Sequence, residues 1–181
     1  MRAVPITVTA LAAALLLTAC GGGDDSDSKG GESKAAGSTG PTGGACAADG
    51  LGQEVGPVDA APAAGDTGNV TVTLTNKGAQ CTLKGFPKVA LQTDGASATV
   101  AEDAAAGAQA LTLPAQGTAS FTITYVRGEK GGDKSLAVKT VKYGLPDASS
   151  TVSFDWSYGD VALKSKGVPD ATVSAFTQAG D

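Results

Sequence analysis

Histidine is absent from all 181 residues, and the single methionine is Met1. Without imidazole there is no Ser-His-Asp or Cys-His catalysis in its usual form. The imidazole ligands favoured by zinc and copper go with it, as do thioether copper sites, because Met1 leaves with a cleaved signal. Aromatic residues make up 4% of the chain and charged residues 17%. No Lys/Arg-rich patch occurs, so nucleic acid is excluded as a partner on electrostatic grounds. Neither a G-x-x-x-x-G-K-[S/T] loop nor a G-x-G-x-x-G fingerprint is present, and no motif for cradling phosphate remains. The apolar run from Ala10 to Leu17 is too short to cross about 30 Å of hydrocarbon. Helical periodicity is convincing nowhere. Glu102–Ala110 comes nearest, but Gly107 interrupts it, so a loop or irregular edge is expected there. The sequence therefore predicts no enzyme, no catalytic residue, no metal site and no cofactor.

What is present begins with an address. Met1-Arg2, the apolar run and the small residues of Leu17-Thr18-Ala19-Cys20 make a secretory signal over residues 1–19. The LTAC tetrapeptide resembles the bacterial lipobox, whose cysteine is acylated and becomes the mature N-terminus. An ordinary secretory signal with an incidental cysteine is the alternative. Lipidation of Cys20 with two or more chains gives stable anchoring. The membrane is then a partner, and the location is extracellular, on the outer face of the cytoplasmic membrane.

Residues 20–44 follow, with Gly21–Gly44 reading GGGDDSDSKGGESKAAGSTGPTGG. This segment holds no aromatic or β-branched apolar residue. It buries too little surface to offset its ordering entropy, so a disordered tether is expected. Its root-mean-square span would be roughly 25–30 Å. The formal charge of −5 becomes −6 once Arg2 leaves, an acidity that favours solubility. With Cys20 lipidated, Cys46 and Cys81 are the two remaining cysteines, and two thiols in an exported chain pair. Closing a 35-residue loop contributes about 4 kcal/mol by chain entropy.

From Ala45 onward period two dominates, which is the strand signature. Val70–Thr75 alternates branched apolar residues with threonine. Asn76-Lys77-Gly78 reads as a turn, because Asn and Gly tolerate positive φ. Cys81 and Leu83 then face inward together. Gly85-Phe86-Pro87 breaks the strand, with Phe86 expected to plug the end of the core, and Val89 and Leu91 resume the apolar face. Leu111–Leu113 and Thr118–Val126 flank a four-residue turn, Pro114–Gly117, in which proline presets φ and glycine takes the awkward angle. Leu136–Tyr143, Thr151–Tyr158, Val161–Leu163 and Ala171–Phe176 complete the strands. Short strands at this spacing predict one all-β domain over residues 45–181, an immunoglobulin-like β-sandwich. In it the Cys46–Cys81 bridge would clamp the two sheets.

The pattern L-x-N-x-G-x-x-C-x-L-x-G-[F/Y]-P, formed here by Leu74, Asn76, Gly78, Cys81, Leu83, Gly85, Phe86 and Pro87, resembles the domain-of-unknown-function 4232 family. The resemblance runs from Ala45 to about Gln178 and includes the turn and strand at Leu113–Phe121. It implies an exported, often lipid-anchored actinobacterial domain with a cysteine, here Cys46, ahead of the motif. Members often carry a further cysteine in the C-terminal half, which this chain lacks. The family has no established activity, so the resemblance implies fold and location.

Candidate binding residues are few. Val152, Phe154, Trp156 and Tyr158 share one face of a strand. That face is either core or, at Trp156 and Tyr158, an exposed platform for an envelope protein or a glycan; aromatic burial favours core. Arg127 opens a charged connector, Arg127–Lys134, at a sandwich end where loops carry recognition. Asp147, Asp155, Asp160 and Asp170 are oxygen ligands in principle, but they lack EF-hand spacing. The Asn69-Val70-Thr71 sequon reads as chance. The function expected is a non-catalytic binding or adhesion module, monomeric. The alternatives are a passive structural envelope lipoprotein and a carboxylate-only hydrolase.

Overall fold

The computed structural model describes residues 43–179. The signal, Cys20 and nearly all of the tether lie outside the described residues. Among the described residues, no helix is long and apolar enough to cross a membrane. The helical pieces described are two three-residue 3-10 turns, Ala48–Gly50 and Ala104–Ala106.

Fifteen strands carry the fold. In chain order they are β1 (Leu51–Asp59), β2 (Thr67–Asn76), β3 (Cys81–Lys84), β4 (Lys88–Gln92), β5 (Ser97–Thr99), β6 (Ala101–Glu102), β7 (Ala110–Leu113) and β8 (Thr118–Val126), then β9 (Ser135–Leu136), β10 (Thr140–Gly144), β11 (Thr151–Asp155), β12 (Val161–Ser165), β13 (Val168–Pro169), β14 (Ala171–Val173) and β15 (Thr177–Gln178). The main sheet has the order β1-β2-β8-β14-β6, with β15 also on β8. The second sheet has the order β11-β10-β4-β5. A small sheet, β13-β12-β9, and a ribbon, β3-β7, complete an all-β sandwich.

The core follows from the alternation. Val70, Val72 and Leu74 on β2 and Ala119, Phe121, Ile123 and Tyr125 on β8 turn inward and are buried. Val89, Leu91, Val141 and Tyr143 meet them from the second sheet. The Phe121 and Tyr143 rings, 5.1 Å apart, join the two sheets, and Phe176 meets Phe121 edge-on at 5.9 Å. Full burial of each such side chain contributes about 1.5–3 kcal/mol.

Several expectations need correction. Leu136–Tyr143 is not one strand: Val138 N–H bonds back to Leu136 O, and β9 and β10 join different sheets. β11 stops at Asp155, where Trp156 N–H turns to Lys139 O. Phe86 does not plug the core; it is half-buried, and Pro87 beside it is buried. In the 114–117 turn the left-handed residue is Gln116, at φ 63°. Gly117 serves close approach instead, since a Cβ there would meet Pro114 Cδ at 2.7 Å. Asn76 and Gly78 are likewise not at positive φ; Asn76 makes its turn through its side chain. The disulfide does form, with Cα atoms 4.9 Å apart, but it does not clamp the two large sheets. It fastens the entering chain to β3, where Cys46 N–H bonds to Thr82 O and Thr82 N–H to Gly44 O.

β8 thus separates two poles. At its start, the β2–β3 turn, the 114–117 turn and the stapled entering chain come together. At its end lie Arg127, the β2 start and the Arg127–Ser135 loop. Nine strand residues place the poles roughly 27 Å apart.

Candidate functional site

The entry pole holds the sequence motif, and its residues do folding work. Asn76 is the one buried polar residue described. Its Nδ2 donates to Ala79 O at 2.8 Å and to Leu113 O and Pro114 O at 3.1 Å. Its Oδ1 accepts from Gly78 N–H at 2.9 Å. One carboxamide therefore ties the two turns of this pole together. Leu74 and Leu83 are core, and Gly85 sits at φ 87°, where a side chain would be strained. The depression beside the disulfide, of about 30 Å³, admits little more than water.

The opposite pole gathers all three proposed binding residues. Trp156 is 6% exposed, so it belongs to the core, not to an exposed platform. It stacks edge-on between Tyr125 and Tyr158, each ring 4.9 Å away, and its Nε1 donates to Gly159 O at 2.7 Å. Tyr158 is half-buried against the core. The Tyr125 hydroxyl donates to Tyr158 O at 3.0 Å and accepts from Ala61 N–H at 3.3 Å. Arg127 Nη1 donates to Ala61 O at 2.7 Å and Pro62 O at 3.0 Å. Gly159, at φ 89°, lets the guanidinium pass, since a Cβ there would lie 2.9 Å from Arg127 Nε. The result is a knot of aromatic rings and backbone bonds that holds the β1–β2 loop. Burial pushes the Tyr125 phenol up and the Tyr143 phenol up to about 12.

Over this knot opens a cleft of about 570 Å³, walled by Arg127, Glu129, Asp133 and Lys134 and floored by Gly65, Gly128 and Ser135, among others. A second depression, of about 380 Å³, adjoins it through Asp133 and Lys134 and runs toward Lys164 and Lys166. The four charged wall residues balance, two of each sign. Arg127 has no carboxylate partner among the described residues, where the ion pair is Lys164 Nζ–Asp170 at 3.2 Å.

The remaining candidates disperse. Asp160 accepts from Gly131 N–H at 2.8 Å and braces the loop. Asp155 ends β11, and Asp147 stands exposed in the loop after β10. Among the described residues, no three His, Cys, Asp or Glu side chains converge to hold a metal. Asn69 lies within β2, its Oδ1 accepting from Thr124 Oγ1 at 2.8 Å. Sequence reasoning missed Tyr125, Ala61 and Gly159, because their partners lie far along the chain. It missed Asn76 as a keystone because a turn asparagine is ordinarily read for its φ.

The fold and the two poles define a disulfide-stapled, all-β sandwich domain without an assembled catalytic centre among the described residues. Residues 46–177 match the family model described as "Domain of unknown function (DUF4232)", and the chain belongs to that family. A comparison with curated proteins finds no match.

Proposed function

We propose that the chain is a lipid-anchored, non-catalytic binding module on the outer face of the cytoplasmic membrane, and that it engages an envelope protein through the Arg127–Lys134 cleft. The observation that carries this reading is the opposition of the poles. The chain enters, stapled, at one end of β8, and the cleft opens at the other. A tether from Cys20 would therefore present the cleft away from the membrane. The cleft is larger than about 300 Å³, the lower bound of ligand sites. Its balanced charges suit a polar protein surface better than a polyelectrolyte. No aromatic ring lines it, which favours protein over glycan, since sugar rings are commonly held on aromatic faces. A carboxylate hydrolase needs one acid in a burying environment. Glu129 and Asp133 both stand exposed, and the displaced tyrosines do not line this cleft.

The test is a photo-crosslinking residue at Lys134, compared with one at Lys142 on the outer face of the second sheet. A discrete protein adduct from Lys134, absent from Lys142 and lost with Arg127→Ala, is the expected result. Equal labelling at both positions, or none, would favour the passive structural lipoprotein.

A further inference from the structure

A sheet edge is a row of unpaired N–H and C=O groups, and natural sandwiches blunt it with proline, bulges, charge or shortness. Three edges here are blunted. β1 carries Pro57, a bulge between Val55 and Val58, and the acidic Glu54 and Asp59. β6 has two residues and β5 three. β11 is the exception. It has five residues, and among the described residues it pairs only with β10. It contains no proline, glycine, lysine or bulge. Thr151, Ser153 and Asp155 are exposed, while Val152 and Phe154 are half-buried. Their inward neighbours on β10 and β4 are at most 2% exposed. The second sheet thus ends on an unfinished apolar rim.

We infer that β11 is the seam of a two-fold homodimer, in which β11 of a second copy adds antiparallel and joins two four-stranded sheets into one of eight strands. The occupant is a second copy because the strand is complementary to itself. With the axis through Ser153, all five residues pair. Val152 faces the partner's Phe154 and Phe154 the partner's Val152, so apolar side chains meet on the inner side. Thr151 faces the partner's Asp155 on the outer side, and no like charges oppose. A one-residue slip would set inward side chains against outward ones. Aromatic–branched cross-strand pairs are the favourable kind. Five residue pairs bury less than the roughly 1,200 Å² of a stable complex, so the association is weak in dilute solution. Tethering on a shared surface raises the effective concentration. The dimer replaces the monomer expected from the sequence and is independent of the cleft.

The test uses the full chain, exported, with Ser153→Cys. Across the axis the two Cα atoms would lie about 4.5–5.5 Å apart, within the reach of a disulfide. The expected result is a band at twice the chain mass on a non-reducing gel that collapses on reduction. Thr151→Cys alone, and Thr99→Cys on β5, should give far less dimer, whereas Thr151→Cys combined with Asp155→Cys should restore it. A Ser153→Cys chain whose Cys46–Cys81 bridge is intact by mass spectrometry, yet which stays single, overturns the inference. So does equal dimer from the controls, or a disulfide to another protein or to another part of the same chain.

Discussion

The Asn76 side chain directs one amide nitrogen at three carbonyls and its oxygen at one N–H. Truncation to alanine would strand those groups in a buried place, where each unsatisfied group costs about 1–3 kcal/mol and water replaces part of the loss. Asn76→Ala should therefore lower stability by about 2–3 kcal/mol and Tm by roughly 10 °C, read by thermal circular dichroism. A Tm within a degree or two of the parent would show that the carboxamide is dispensable. The sequence shows Asn76 as a turn residue, because N-K-G follows an alternating strand. It does not show the bonds to Leu113 and Pro114, which lie 37 and 38 residues away. Trp156 was legible as core from its shared face with Val152 and Phe154. Its hydrogen bond to Gly159 depends on a backbone turn that no periodicity announces.

At the scale of elements, the entering segment and β3 are held by one disulfide and by the bonds between Cys46 and Thr82 and between Thr82 and Gly44. Removing the staple with Cys46→Ser and Cys81→Ser together should cost about 2–4 kcal/mol. The loss should be local first. Hydrogen exchange at Cys46 and Thr82 should accelerate, while the β2–β8 ladder, the longest register in the core, keeps its protection. Uniform loss of protection would mean instead that the bridge holds the whole sandwich. β2 and β8 were readable because strict alternation over nine or ten residues marks a half-buried strand. β1 was not readable. As an edge it needs no clean apolar face, and its Gly56-Pro57 pair sits in a bulge. The break between β9 and β10 was hidden because Leu136, Val138 and Val141 are all apolar, although β9 and β10 serve different sheets.

For the whole molecule, the anchor and the poles act together. Cys20→Ala should move the protein from the detergent phase to the aqueous phase, or leave the precursor uncleaved. Unchanged partitioning would remove the membrane from the proposed function. The sequence by itself determined the all-β class, the pairing of Cys46 with Cys81 and the family. Strand periodicity and a count of two remaining thiols are local facts that tertiary context did not override. Tertiary structure alone decided that Arg127, Tyr125 and Trp156 meet Ala61, Tyr158 and Gly159, that a cleft opens above them, and that β11 ends its sheet unpaired. Alternation reports which face of a strand is buried. It carries no information about which strand lies beside it, and every feature of the far pole depends on those non-local neighbours.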